Sequence, residues 1–285
     1  MPAFGRARVA AYPGTVSEPD QFEPRPVEPS PIVPLPPPPP AARAGEVDAP
    51  AGERPVRWGF GDAIVGWIIG IVGGAIAYEF VLGLSGTDRD NADDLPIGWI
   101  AIAQLGLWFG LLGTPWLVSR FKGNGMRRDF GLTAKWVDLP VGALWGLIGQ
   151  FGILLVVYLP MSWLFNITRD EFSEPAQEMS DRATNPIGVV LLVLIVGVGA
   201  PVVEEIFYRG LVQRSLINRF GPVWGIGLAS VIFGAVHFQG YQLPALALAG
   251  LLFGLLAYRA QRLGPAIFAH MVFNLAAVAS LLSES

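Results

Sequence analysis

The 285-residue chain contains no cysteine. That excludes disulfides, thiolate metal ligands and a cysteine nucleophile. It holds only two histidines, His237 and His270. Charged residues are scarce at 15%, and the net charge of −4 comes without a basic stripe, so no nucleic-acid partner is expected. What remains is apolar: 52% of residues are AVILMFWYC and the mean hydropathy is +0.49. This is the composition of a polytopic membrane protein. No h-region of a cleavable signal precedes the first apolar run, near Ala63, so the first helix is expected to serve as an uncleaved insertion signal.

Residues 1–57 carry 15 of the 25 prolines, including the run Pro36 to Pro40. Such a segment cannot bury a core and is expected to be disordered, with polyproline II character. It reads as a solvated tether rather than a ligand for an SH3-like partner. A transmembrane helical domain is expected over 58–285. Seven apolar runs follow, near 62–84, 97–119, 138–165, 186–208, 222–240, 243–259 and 265–282. Most approach the ~20 residues that a span requires. The predicted fold class is therefore all-α, a transmembrane bundle of about seven spans. Glycines recur at four-residue spacing, at Gly66, Gly70 and Gly74, at Gly106 and Gly110, at Gly142 and Gly146, and at Gly250 and Gly254. Small residues on one face let membrane helices approach closely.

Arginine and lysine set the expected orientation. Basic residues precede the first run and fill 120–137, where Arg120, Lys122, Arg127, Arg128 and Lys135 lie. Arg209, Arg214 and Arg219 follow the fourth run, and Arg259 and Arg262 the sixth. The alternate connections, 85–96 and 166–185, are mainly acidic. This places the amino terminus in the cytoplasm and the carboxyl terminus outside. Trp58, Trp116, Trp136 and Trp224 then fall at the inner boundary as interface anchors.

The apolar run Ile187–Ala200 leads into Pro201-Val202-Val203-Glu204-Glu205-Ile206-Phe207-Tyr208-Arg209. An ionisable residue at membrane depth costs a few kcal/mol at least and marks a functional site by default. Glu205 and Arg209 stand at i, i+4 and can neutralise each other. Glu204 points about 100° away with no partner in its own helix. Pro201 cannot donate to the carbonyl of Gly197, and leaves a polar group that water or another helix must satisfy. Both histidines sit in later apolar runs, and His270 shares a face with Asn274 at i, i+4. A single buried histidine is most often a satisfied core residue, and a single Glu-Glu pair is most often glue between helices. Here every histidine of the chain joins the pair. Glu204 lies 17 residues before Gly221 and His237 16 after it. A helical hairpin at Gly221 would bring both to about 24–26 Å from the turn, at about 1.5 Å per residue. Counted in the same way from Gly264, His270 comes out shallower.

Glu204-Glu205-x-x-x-Arg209, then Phe233-x-x-x-His237, then His270-x-x-x-Asn274, in that order on successive apolar helices, resembles the CPBP family. These are the CAAX prenyl protease and bacteriocin-processing intramembrane proteases. Asp129-Phe130-Gly131-Leu132 resembles a weaker feature of the same family, and the protease-like core covers about 127–282. The resemblance implies peptide-bond hydrolysis in a membrane-embedded or lipid-anchored peptide substrate. It implies catalytic positions at Glu204, His237, His270 and Asn274, with Glu205 and Arg209 in support.

A protease in a membrane must activate water and stabilise an oxyanion. A desolvated Glu204 can act as general base with a histidine beside it, and the second histidine and Asn274 can donate to the oxyanion. Alternatively the same four residues could hold one divalent metal, zinc among the candidates. The family is usually described as metalloproteases, which tips the expectation towards a metal. Two non-protease readings stand beside these. One is a non-enzymatic membrane scaffold or bacteriocin self-immunity protein. The other is a proton-coupled transporter, which intramembrane Glu and His would also serve, although no internal repeat is visible.

Overall fold

Six helices among the described residues, 54–284 of this computed structural model, are long and apolar enough to cross a membrane. In chain order they are α1 (Phe60–Ser85), α2 (Ile97–Lys122), α3 (Asp138–Phe165), α5 (Pro186–Ala235), α6 (Leu243–Ala260) and α7 (Gly264–Glu284). A shorter amphipathic helix, α4 (Arg169–Asp181), lies between α3 and α5. No strand occurs among the described residues. The chain is thus an all-α membrane-spanning bundle. Most of the proline-rich tail lies outside the described residues. Of it, Arg54 donates from its backbone N–H to Asn124 Oδ1 at 2.9 Å and Arg57 to the Lys122 carbonyl at 2.8 Å, so 54–57 pair with the end of α2.

The count of six against seven runs has a single cause. The fourth and fifth runs are joined without a loop into the 50-residue α5. Gly221 there takes φ 78°, ψ 170°, a backbone conformation that only glycine adopts without strain, and the chain reverses. The arms 186–220 and 222–235 then lie side by side. The Arg209 guanidinium carbon stands 4.1 Å from the centroid of the Phe233 ring, and these residues are equally far from Gly221 on either side. The hairpin expected from Phe220-Gly221-Pro222 is present.

Lipid-sized side chains point outward and small ones inward. Ile64, Val65, Ile68, Ile76 and Phe80 are exposed on α1, whereas Gly66 and Gly70 are buried against α2. A Cβ at Gly106 would fall 2.3 Å from the Gly73 carbonyl oxygen, so the two backbones touch. Lipid supplies no hydrophobic drive between helices, and such close backbone approach is how they associate. Gly142 and Gly146 of α3 meet α7 at Phe268 and Ala269 in the same way. The starts of α3 and α7 are clamped by Arg262, whose Nε donates to Asp138 Oδ2 at 2.9 Å.

Two expectations change in detail. The connection 166–185 holds α4, whose N-cap Thr168 accepts from the Glu171 backbone N–H while the Glu171 carboxylate accepts from the Thr168 N–H, at 3.2 and 2.8 Å. Thr168-x-x-Glu171 is a capping box that composition alone conceals. Trp58 is buried against the Phe130 ring, 5.0 Å between centroids, and is no interface anchor. Trp116, Trp136 and Trp224 are exposed.

Candidate active site

The first arm of α5 changes register twice around the Glu-Glu pair. It runs α-helical over Pro186–Leu192, π-helical over Val193–Gly199, α-helical over Ala200–Glu204 and π-helical over Glu205–Gln213. Asn185 caps its start, accepting from the Gly188 N–H at 3.0 Å. The first π stretch follows from Pro201, whose ring and missing N–H cannot continue an α ladder. In the wider register Ala200 N–H reaches the Ile195 carbonyl. The next bond would run from residue 201 to Val196, and proline has no proton to give. Asn274 Nδ2 on α7 donates to that carbonyl at 2.8 Å. The orphan group expected from Pro201 is therefore satisfied by another helix. It is the Val196 carbonyl rather than that of Gly197, because the register has shifted by one residue.

Glu205 and Arg209 form the pair that their spacing predicts, with Oε1 and Nη1 3.1 Å apart and side chains only 0% and 2% exposed. That contact is an ion pair without hydrogen-bond alignment, since Arg209 Nη1 makes no aligned bond. Arg209 Nη2 donates to the Gly250 carbonyl at 3.2 Å, and one turn on Gln213 Nε2 donates to the Gly254 carbonyl at 3.0 Å. The guanidinium also rests on the Phe233 ring. A buried charge with this many partners is held in one orientation.

His270 lies between the two glutamates. Its Nδ1 is 2.9 Å from Glu205 Oε1, and its Nε2 is 3.8 Å from Glu204 Oε2. With Glu205 ionised, Nδ1 carries the proton and Nε2 presents a lone pair. The ring is stacked on Phe253, 4.6 Å between centroids. His237 Nδ1 is 2.6 Å from the Phe233 carbonyl, which can only accept, so its Nε2 also presents a lone pair. Phe233 touches both imidazoles, with centroids 4.9 Å from His237 and 5.7 Å from His270. Glu204, His237 and Asn274 are partly exposed while Glu205 and Arg209 are buried, so the two glutamates differ in access as well as partners.

The structure thus brings Glu204, Glu205, Arg209 and His270 into one cluster, with His237 beyond Phe233 and Asn274 one turn past His270. Glu204 and His237, matched in depth by distance from Gly221, make no direct bond. The histidine facing Glu204 is His270, which the count from Gly264 had placed shallower. Phe253, Gly250 and Gln213 are the site residues that sequence reading leaves out. Gln213 stands four residues after Arg209, and that spacing was the available signal. Phe253 is one aromatic in an apolar run and offers none.

Both histidines have Nδ1 anchored to an oxygen and Nε2 open, as metal-binding histidines do. Yet among the described residues no three His, Cys, Asp or Glu side chains gather closely enough to hold an ion. His270 stands near both glutamates but His237 pairs with neither, so the donors do not fit a metal as they stand.

Residues 186–276 match the family model of Rce1-like type II CAAX prenyl endopeptidases. No curated protein and no solved structure matches the chain. Glu204, Glu205, Arg209, His237, His270 and Asn274 all fall inside the matched segment, on the first arm of α5, in the turn that follows its second arm, and on α7. That segment, the part of the chain that carries all six motif residues, is thus similar to the Rce1-like type II CAAX prenyl endopeptidases.

Proposed function

We propose that the protein is an intramembrane endopeptidase that hydrolyses a peptide bond of a membrane-embedded or lipid-anchored peptide. The observation that carries this reading is the placement of His270, with Nδ1 against buried Glu205 and Nε2 facing the more accessible Glu204. Its position inside an Rce1-like domain supports it. A water donating one proton towards Glu204 Oε2 and the other towards His270 Nε2 would be polarised by both. Glu204 takes a proton as the water oxygen attacks the scissile carbonyl carbon. The carbonyl oxygen becomes an oxyanion. When the C–N bond breaks, the proton passes from Glu204 to the leaving nitrogen.

Arg209 holds Glu205, and Glu205 orients the His270 ring so that its Nε2 faces Glu204. Asn274 spends one amide proton on Val196 and keeps a second for the oxyanion. His237, in the turn just past the second arm of α5 and partly exposed, is the remaining polar residue of the motif set. A divalent metal, zinc among the candidates, would require His237 to join Glu204 and His270.

Comparing peptide termini in membranes from cells carrying the wild type and Glu204→Gln tests the proposal. New amino termini present only with the wild type are expected. Identical sets in the two strains, with both proteins folded and abundant, would sink it and favour the scaffold or self-immunity reading.

A further inference from the structure

At the end of the bundle where the basic connections meet, a cavity of about 410 Å³ opens between the segment before α1, the loop after α2, the first arm of α5 and the end of α6. Arg128, Arg209 and Arg214 line it, against a single carboxylate, Asp129. That carboxylate is already occupied, accepting from the Asn124 backbone N–H at 2.9 and 3.1 Å. Glu205 offsets Arg209. One guanidinium therefore remains in excess in the wall.

Two wall residues carry a buried polar atom without a partner, Trp58 Nε1 and Gln213 Oε1, whereas Arg209 Nη1 faces Glu205 Oε1 at 3.1 Å. Trp58 is 8% and Gln213 2% exposed. A buried polar atom without a partner costs about 1–3 kcal/mol, so two in the wall of one cavity call for an occupant. The first is a donor and suits an oxyanion, which the guanidinium groups of Arg128 and Arg214 can bind in bidentate fashion. The second is an acceptor. Its amide orientation is fixed because Gln213 Nε2 is spent on Gly254, so the occupant must also offer a proton.

We propose that this cavity binds a phosphate group carrying a hydroxylated substituent. The phosphate oxygens would meet Trp58 and the arginines, and a hydroxyl would meet Gln213. The basic end of a membrane bundle lies at head-group depth, where such pockets take anionic lipids. A soluble phosphate ester offers the same chemistry. Because Arg209 belongs both to this wall and to the Glu205–His270 cluster, the occupant would touch the support of the candidate active site. The proposal stands whether or not that site hydrolyses peptides.

The full chain in nanodiscs tests it through the unfolding midpoint. Phosphatidylglycerol is titrated into phosphatidylcholine in one arm, and glycerol phosphate is added to pure phosphatidylcholine in the other. A rise in midpoint with lipid alone identifies a lipid head group, and a rise in both arms a general phosphate site. Trp58→Phe, which removes one donor and little else, should weaken the apparent affinity about tenfold. Arg128→Gln with Arg214→Gln should abolish the rise, and Arg259→Gln, outside the cavity, should preserve it. If the arginine pair variant does not fold, Trp58→Phe decides alone. No rise with either probe, or a rise unchanged in Trp58→Phe, overturns the proposal.

Discussion

His270 Nδ1 lies 2.9 Å from Glu205 Oε1, so a buried carboxylate on the first arm of α5 fixes the tautomer of a histidine on α7. The other ring nitrogen is turned to Glu204. Adjacent glutamates in one helix thereby take different tasks: one holds the imidazole and the other faces the accessible side.

Glu204→Gln and Glu205→Gln should accordingly separate. Glu204→Gln is nearly isosteric and is expected to fold, with an unfolding midpoint close to the wild type and no turnover. Arg209→Ala leaves Glu205 uncompensated and should cost about 3–5 kcal/mol, seen as less folded protein in detergent. Glu205→Gln should lose stability as well as turnover. An active Glu204→Gln, or one that misfolds while Glu205→Gln does not, would reverse the assignment.

Asn274 and Pro201 should be coupled. Asn274→Asp replaces the donor to Val196 with an acceptor and is expected to destabilise the contact between α5 and α7. Pro201→Ala restores a backbone N–H that can serve the same carbonyl, so Asn274→Asp should cost less in that background. A double-mutant cycle on unfolding midpoints measures the coupling. Strict additivity would show that the Val196 carbonyl does not link the two residues.

The glycines of α6 should be intolerant where its backbone meets α5. A Cβ at Gly254 would lie 2.4 Å from Gln213 Oε1 and break the Gln213 bond, so Gly254→Ala should destabilise by about 1–3 kcal/mol. Gly83, with open space around its Cβ position, should accept alanine without loss. Equal midpoints for both variants would contradict this packing.

Chelation separates the two chemistries open to the site. With Glu204 and His270 acting on water themselves, turnover by the purified protein should survive a strong chelator. Loss of turnover on chelation, restored by zinc or another divalent ion, would show that His237 moves to join the other two donors.

Orientation is open to a tag test. With both arms of α5 crossing, the helix order is expected to put Arg54 and Glu284 at opposite ends of the bundle, with the basic end facing the cytoplasm. A tag at position 2 should be shielded in intact cells and one after Ser285 accessible. Both tags on one side would mean that one helix or one arm of α5 does not cross.

The sequence by itself determined the fold class, because apolar runs of spanning length can only be helices in lipid. It also determined the Glu205–Arg209 pair and the turn at Gly221, which depend on spacing and local backbone freedom. Depth counting assumed uniform helices, and the π stretches around Pro201 break that assumption. Which histidine faces Glu204 was therefore decided by tertiary structure, through the approach of α7 to α5 and the seating of His270 between Glu205 and Phe253. The cavity of Trp58, Arg128 and Arg214 was equally out of reach of the sequence. Its walls come from four separated segments, and a charge in a loop does not show where the loop folds back.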